Sequence, residues 1–131
     1  MCFSLFKKRN EYVKNSKKYI EKKFDFLLNN GYKYHYFFCN GEETFSFRKG
    51  GLLLEIYHDI YPFAFDVVIY DGTVSLDAVF KGKAKIEPKN INEFAGVNWS
   101  YIKSVLSPIE IVDYYADLVN NNLENLEKVY K

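Results

Sequence analysis

Three two-residue turn signals divide the chain between Gly31 and Lys81: Asn40-Gly41, Gly50-Gly51 and Asp71-Gly72. Turns this short join antiparallel neighbours, because Asn-Gly, Gly-Gly and Asp-Gly supply the positive-φ positions that match the twist of paired strands. The constraint is severe: the middle of the chain must fold as a meander, each strand pairing with the next. The apolar runs between the turns predict strands over residues 32–39, 43–48, 52–58, 63–70 and 73–80. The third run opens on Leu52-Leu53-Leu54 and is expected at the sheet centre, while Pro62 breaks the chain or marks an edge.

Helical periodicity brackets this region. Val13, Ile20, Phe24, Leu27 and Leu28 recur at helical spacing over residues 11–30, lysines fill the other face, and Asn29-Asn30-Gly31 provides the stop. Ser107-Pro108 with Glu110 reads as a helix start, an N-cap serine followed by proline at the first position. From there Ile111, Val112, Tyr115, Leu118, Val119, Leu123, Leu126 and Tyr130 form a wide apolar stripe. Residues 84–107 are least legible: a short strand over 84–87, a helical turn over 91–94, and either a loop or a short helix over 98–106. Trp99 falls here without an assignable role.

The expected architecture is a two-layer α+β domain over residues 1–131, with residues 1–10 as a flexible basic N-terminus. A four- to five-stranded antiparallel meander is flanked by an N-terminal and a C-terminal helix, both laid over one face. Strand alternation places Glu55, Tyr57, Asp66, Tyr70 and Asp77 on the other, partly open face.

At 131 residues the chain can bury a core, and twelve Tyr and twelve Phe give it an unusual aromatic load. An AT-rich coding sequence produces the same excess. Buried Tyr hydroxyls need partners, so some of these residues belong at the surface, where Tyr favours contact patches. Net charge is +1, but Lys7, Lys8, Arg9, Lys14, Lys17, Lys18, Lys22 and Lys23 crowd one end. Glu42, Glu43, Glu55, Asp59, Asp66, Asp71 and Asp77 mark the middle as acidic. Cys2 and Cys39 are too few for a disulfide framework and read as reduced thiols. No stretch reaches the length of a membrane span, so a cytoplasmic protein is expected.

Chemical signatures are weak. Glu55, His58, Asp59 and Asp66 are the nearest approach to a reactive cluster, yet two histidines at positions 35 and 58 do not make a metal-ligand pattern. His35 reads as a half-buried structural residue, and His58-Asp59 as a strand end meeting water. The serines lack a nucleophile elbow, Gly50-Gly51 lacks the features of a phosphate loop, and nothing near Cys39 activates its thiol. No catalytic residue, metal or cofactor is assigned. The lysine-rich first helix suits nucleic acid, but scarce arginine and the acidic sheet argue against it.

The segment Leu28-Asn29-Asn30-Gly31-Tyr32-Lys33-Tyr34 after an opening helix, followed by aromatic strands and Leu54-Glu55-Ile56-Tyr57-His58-Asp59, resembles small bacterial immunity proteins of polymorphic and contact-dependent toxin systems. The resemblance spans residues 12–80. It implies no enzymatic activity, only binding of a cognate toxin and obstruction of its site. The expected function is therefore a protein-interaction module, with a basic toxin domain as the partner. Its expected contact residues are Glu55, Tyr57, His58, Asp59, Tyr61, Asp66, Tyr70 and Asp77. A small-molecule domain or minor enzyme with an aromatic pocket is the alternative, and nucleic-acid binding through the first helix is the third.

Overall fold

The computed structural model describes residues 15–60, 62–72, 81–82, 88–98 and 105–130. Within them, helix α1 covers residues 15–23 and a short α2 covers Asp25–Asn29. The expected single helix is interrupted at Phe24, whose carbonyl accepts from the Leu27 N–H at 3.0 Å, a tighter turn than an α-helix makes. Ile20, Phe24 and Leu27 all reach the core, whereas Leu28, expected in the same stripe, is 46% exposed.

Four strands follow: β1 (Lys33–Cys39), β2 (Glu42–Lys49), β3 (Leu52–Asp59) and β4 (Ala64–Asp71). A two-residue β5 (Lys89–Asn90) completes a five-stranded antiparallel sheet in the order β1-β2-β3-β4-β5. The α+β meander is as expected, with β3 central. The expected strand over 73–80 lies outside the described residues, as does the one over 84–87. At the first hairpin Asn40 and Gly41 both take positive φ, 52° and 82°, the pair that a type I′ turn demands. That turn sets Cys39 opposite Glu42, and every later β1–β2 pairing follows by counting back.

Helix α3 (Ile91–Ala95) is capped by the Asn90 side chain, which accepts from the Asn92 N–H. Helix α4 (Pro108–Val129) opens with the full capping box: Ser107 Oγ accepts from the Glu110 N–H, and the Glu110 carboxylate accepts from the Ser107 N–H. Its stripe of Ile111, Val112, Tyr115, Val119, Leu123 and Leu126 packs in one cluster with Ile20, Phe24 and Leu27 of the N-terminal helices. The sheet contributes Phe45, Phe47, Leu52, Leu54, Ile56, Phe65, Val67 and Ile69 to that cluster. Each fully buried large side chain stabilises by about 1.5–3 kcal/mol, so this single face accounts for most of the drive to fold.

Two pairs of tyrosine and lysine hold α4 in place. Tyr19 donates to Asp113, whose carboxylate also lies 3.2 Å from Lys23 Nζ. Tyr32 donates to Glu127 at 2.9 Å, with Lys49 Nζ at 3.5 Å from the same oxygen. Burial, the hydrogen bond and the nearby carboxylate together push the Tyr19 phenol up to about 12.

Candidate binding face of the sheet

Because side chains alternate along a strand, packing one face on the helices leaves the other open. Register arranges that open face in four cross-strand rows. The first is Lys33–Arg48–Leu53–Tyr70, and the second His35–Ser46–Glu55–Val68. The third is Phe37–Thr44–Tyr57–Asp66, and the fourth Cys39–Glu42–Asp59–Ala64. Glu55, Tyr57, Asp59, Asp66 and Tyr70, five of the expected contact residues, thus share one surface. Tyr61 and Asp77 lie outside the described residues.

His58 is a correction. It was expected to be exposed with the contact residues, but it has the parity of Leu52, Leu54 and Ile56 and is 0% exposed on the helix side. Its Nδ1 donates to Glu43 Oε1 at 2.8 Å, and Glu43 also accepts from Tyr36 Oη. Phe63 and Phe65 wall the imidazole. A buried polar side chain is tolerated when it is paired, and Glu43 supplies the partner. His35 is corrected in the opposite sense: expected half-buried, it is exposed on the open face.

Asp66 is on the open face but is already engaged. One of its carboxylate oxygens accepts from the Val67 N–H at 2.9 Å, from Asn90 Nδ2, and from Tyr115 Oη at 3.2 Å. Asn92 extends the network, donating to Asn90 Oδ1 and Tyr115 Oη, both at 2.9 Å, while accepting from Tyr114 Oη at 2.8 Å. This cluster joins α3 and α4 to the sheet edge, so Asp66 serves the fold.

The electrostatics also differ from a uniformly acidic surface. Lys33 and Arg48 oppose each other in the first row, and Glu42 and Asp59 oppose each other in the fourth. Like charges directly opposite cost stability, and this face carries two such pairs of opposite sign at its two ends. At the cationic end a pocket of about 400 Å³ is lined by Lys33, Arg48, His35, Glu55, Tyr57 and Asp71, among others. Ser46 Oγ donates to Glu55 at 2.6 Å, and the Tyr57 and Tyr70 hydroxyls share a hydrogen bond of 2.9 Å. Burial, then the bond to Tyr70, raises the Tyr57 phenol and keeps it protonated.

Phe37, on this face, is 56% exposed, and Phe38, of opposite parity in the same strand, is 54% exposed. Among the described residues no three His, Cys, Asp or Glu side chains converge as metal ligands, and no helix is long and apolar enough to cross a membrane. Of the lysines on α1, Lys17 lies 3.2 Å from Glu21 and Lys23 pairs with Asp113, while Lys18 and Lys22 are exposed. The expected contact set leaves out Lys33, His35, Ser46 and Arg48, although counting back from the Asn40-Gly41 turn puts them in the rows of Tyr70 and Glu55. No family model matches this chain, and no curated protein or solved structure matches it.

Proposed function

We propose that the chain is a non-enzymatic binding protein that seats a protein partner on the open sheet face. The observation that carries this reading is the third and fourth rows taken together: Phe37 and Tyr57 as exposed and half-exposed aromatics beside the opposed carboxylates of Glu42 and Asp59. Interfaces concentrate binding energy in aromatic anchors, and a charged rim governs encounter. The carboxylate end favours a basic patch on the partner. With the resemblance to bacterial immunity proteins, the specific form of the proposal is an inhibitor that covers the working surface of a basic toxin domain, in the cytoplasm.

The test is capture of a stoichiometric partner from the native host, followed by association kinetics with the doubly reversed Glu42→Lys, Asp59→Lys protein. At low salt the reversal should slow association by about tenfold and leave the fold intact. Unchanged kinetics would remove the carboxylate end from the interface.

A further inference from the structure

The pocket at the cationic end of the open face has a composition that a protein interface does not require. Lys33 and Arg48 line it, and neither makes an ion pair with another described residue. Of the other described lysines, Lys17, Lys23, Lys49 and Lys128 lie beside Glu21, Asp113, Glu127 and Glu124, whereas no ion pair to a described residue holds Lys18, Lys22 or Lys89. The fold therefore places two cations side by side, against their mutual repulsion, at a concave surface.

Glu55 lines the same pocket, and its only hydrogen bond within the described residues is the one from Ser46. It stands two residues after Leu53, the cross-strand partner of Arg48, so Arg48 and Glu55 are diagonal neighbours about 7–8 Å apart. A simple anion drawn to Arg48 would lie beside the Glu55 carboxylate, and a simple cation drawn to Glu55 would lie beside Arg48 and Lys33. A molecule carrying both charges a short distance apart meets both requirements. Asp71 and His35 line it too, so a second carboxylate stands in the pocket; the rest of the lining includes Leu53, Tyr57 and Tyr70, the two rings held together by their shared hydroxyl bond. Leu53 and those two rings offer an apolar bed within a charged rim. The volume of about 400 Å³ suits a small ligand.

We propose that this pocket binds a free amino acid with an apolar side chain: its carboxylate on Arg48 and Lys33, its ammonium on Glu55, and its side chain over Leu53, Tyr57 and Tyr70. Arg48 is the stronger anchor, because a guanidinium holds a carboxylate through two parallel hydrogen bonds. This site does not depend on a protein partner.

The experiment is an amide NMR titration of the full chain with L-phenylalanine, 3-phenylpropionate, which lacks the ammonium, and 2-phenylethylamine, which lacks the carboxylate. L-leucine and L-methionine are titrated alongside. At least one amino acid should give saturable shifts at residues 33–35, 46–48 and 53–57. Each of the two truncated analogues should bind at least tenfold more weakly than phenylalanine, or not at all. R48Q and E55Q should each weaken the amino acid at least tenfold while retaining the wild-type fold by their spectra. R48Q alters an exposed side chain and decides the matter alone if E55Q is unfolded. Absence of saturable shifts with all three amino acids would overturn the proposal. So would phenylpropionate binding as tightly as phenylalanine, which would mark an anion site, or undiminished binding by R48Q. None of these results bears on capture of a protein partner.

Discussion

Lys33 and Arg48 are direct cross-strand partners on the open face, two cations opposed where the pairing could have joined opposite charges. Replacing Lys33 with Glu turns a repulsive pair into an attractive one. The variant should gain about 0.2–1 kcal/mol of stability, seen as a higher urea midpoint at low salt that converges on wild type as salt rises. It should also lose the amino-acid site. Stability gained while ligand is lost would show that the pair is kept for binding.

The buried pair of Glu43 and His58 behaves differently. Glu43→Leu leaves the His58 Nδ1–H and the Tyr36 hydroxyl without their Glu43 acceptor, and should cost about 1–3 kcal/mol. Adding His58→Phe to that variant should recover about 1 kcal/mol or more, since an apolar pair is easier to bury than a broken polar one. Denaturant unfolding of both singles and the double measures this coupling, and strict additivity would contradict it.

Asn92 is the hub between Asn90, Tyr114 and Tyr115. Asn92→Leu should destabilise by about 1–3 kcal/mol, because it strips partners from buried polar atoms. Asp66→Lys should be destabilising for the same reason and is unsuited to probing the interface. Thermal melts with each variant check this.

The capping box at Ser107 gives an acid-side signature. Hydrogen bonds from the Ser107 side chain region and its backbone hold the Glu110 carboxyl below its usual value of 4.5. A lowered folded value means the contribution is present above pH 4.5 and is lost as pH falls through the folded value. Ser107→Ala should cost about 0.5–2 kcal/mol at pH 7. Its deficit against wild type should shrink in acid, as chemical denaturation at pH 7 and pH 3 would show.

Tyrosine sets the alkaline limit. Burial, then bonds to Glu127, Glu21 and Glu43, raises Tyr32, Tyr34 and Tyr36 above their usual value of 10.0. Each raised folded value means stability is fully present below pH 10 and falls as pH climbs toward that folded value. Urea midpoints should stay level on this account up to about pH 10 and then drop, in step with tyrosinate absorbance.

Much of the meander was legible because Asn40-Gly41 and Gly50-Gly51 set register as well as direction. From register follow the rows of Glu55, Tyr57 and Tyr70. His58 was misread because its polarity outweighed its parity, although Leu52, Leu54 and Ile56 point to the same face. The engagement of Asp66 was not readable, since Asn90, Asn92 and Tyr115 come from distant segments that only packing brings together. The two-residue β5 strand, Lys89–Asn90, is too short to show any period. The split of α1 from α2 at Phe24 likewise left no mark, because Ile20, Phe24 and Leu27 suit a continuous helix equally well.

The central claim, that the open sheet face seats a protein partner, is tested most directly by three baits used on extract of the native host. These are the wild-type chain, an open-face variant with Phe37→Asp and Tyr57→Asp, and a control with Glu124→Lys on the exposed surface of α4. The account predicts one stoichiometric protein held by wild type and by the control, and released by the open-face variant. A partner retained equally by all three, or no protein retained by the wild-type chain, would contradict it.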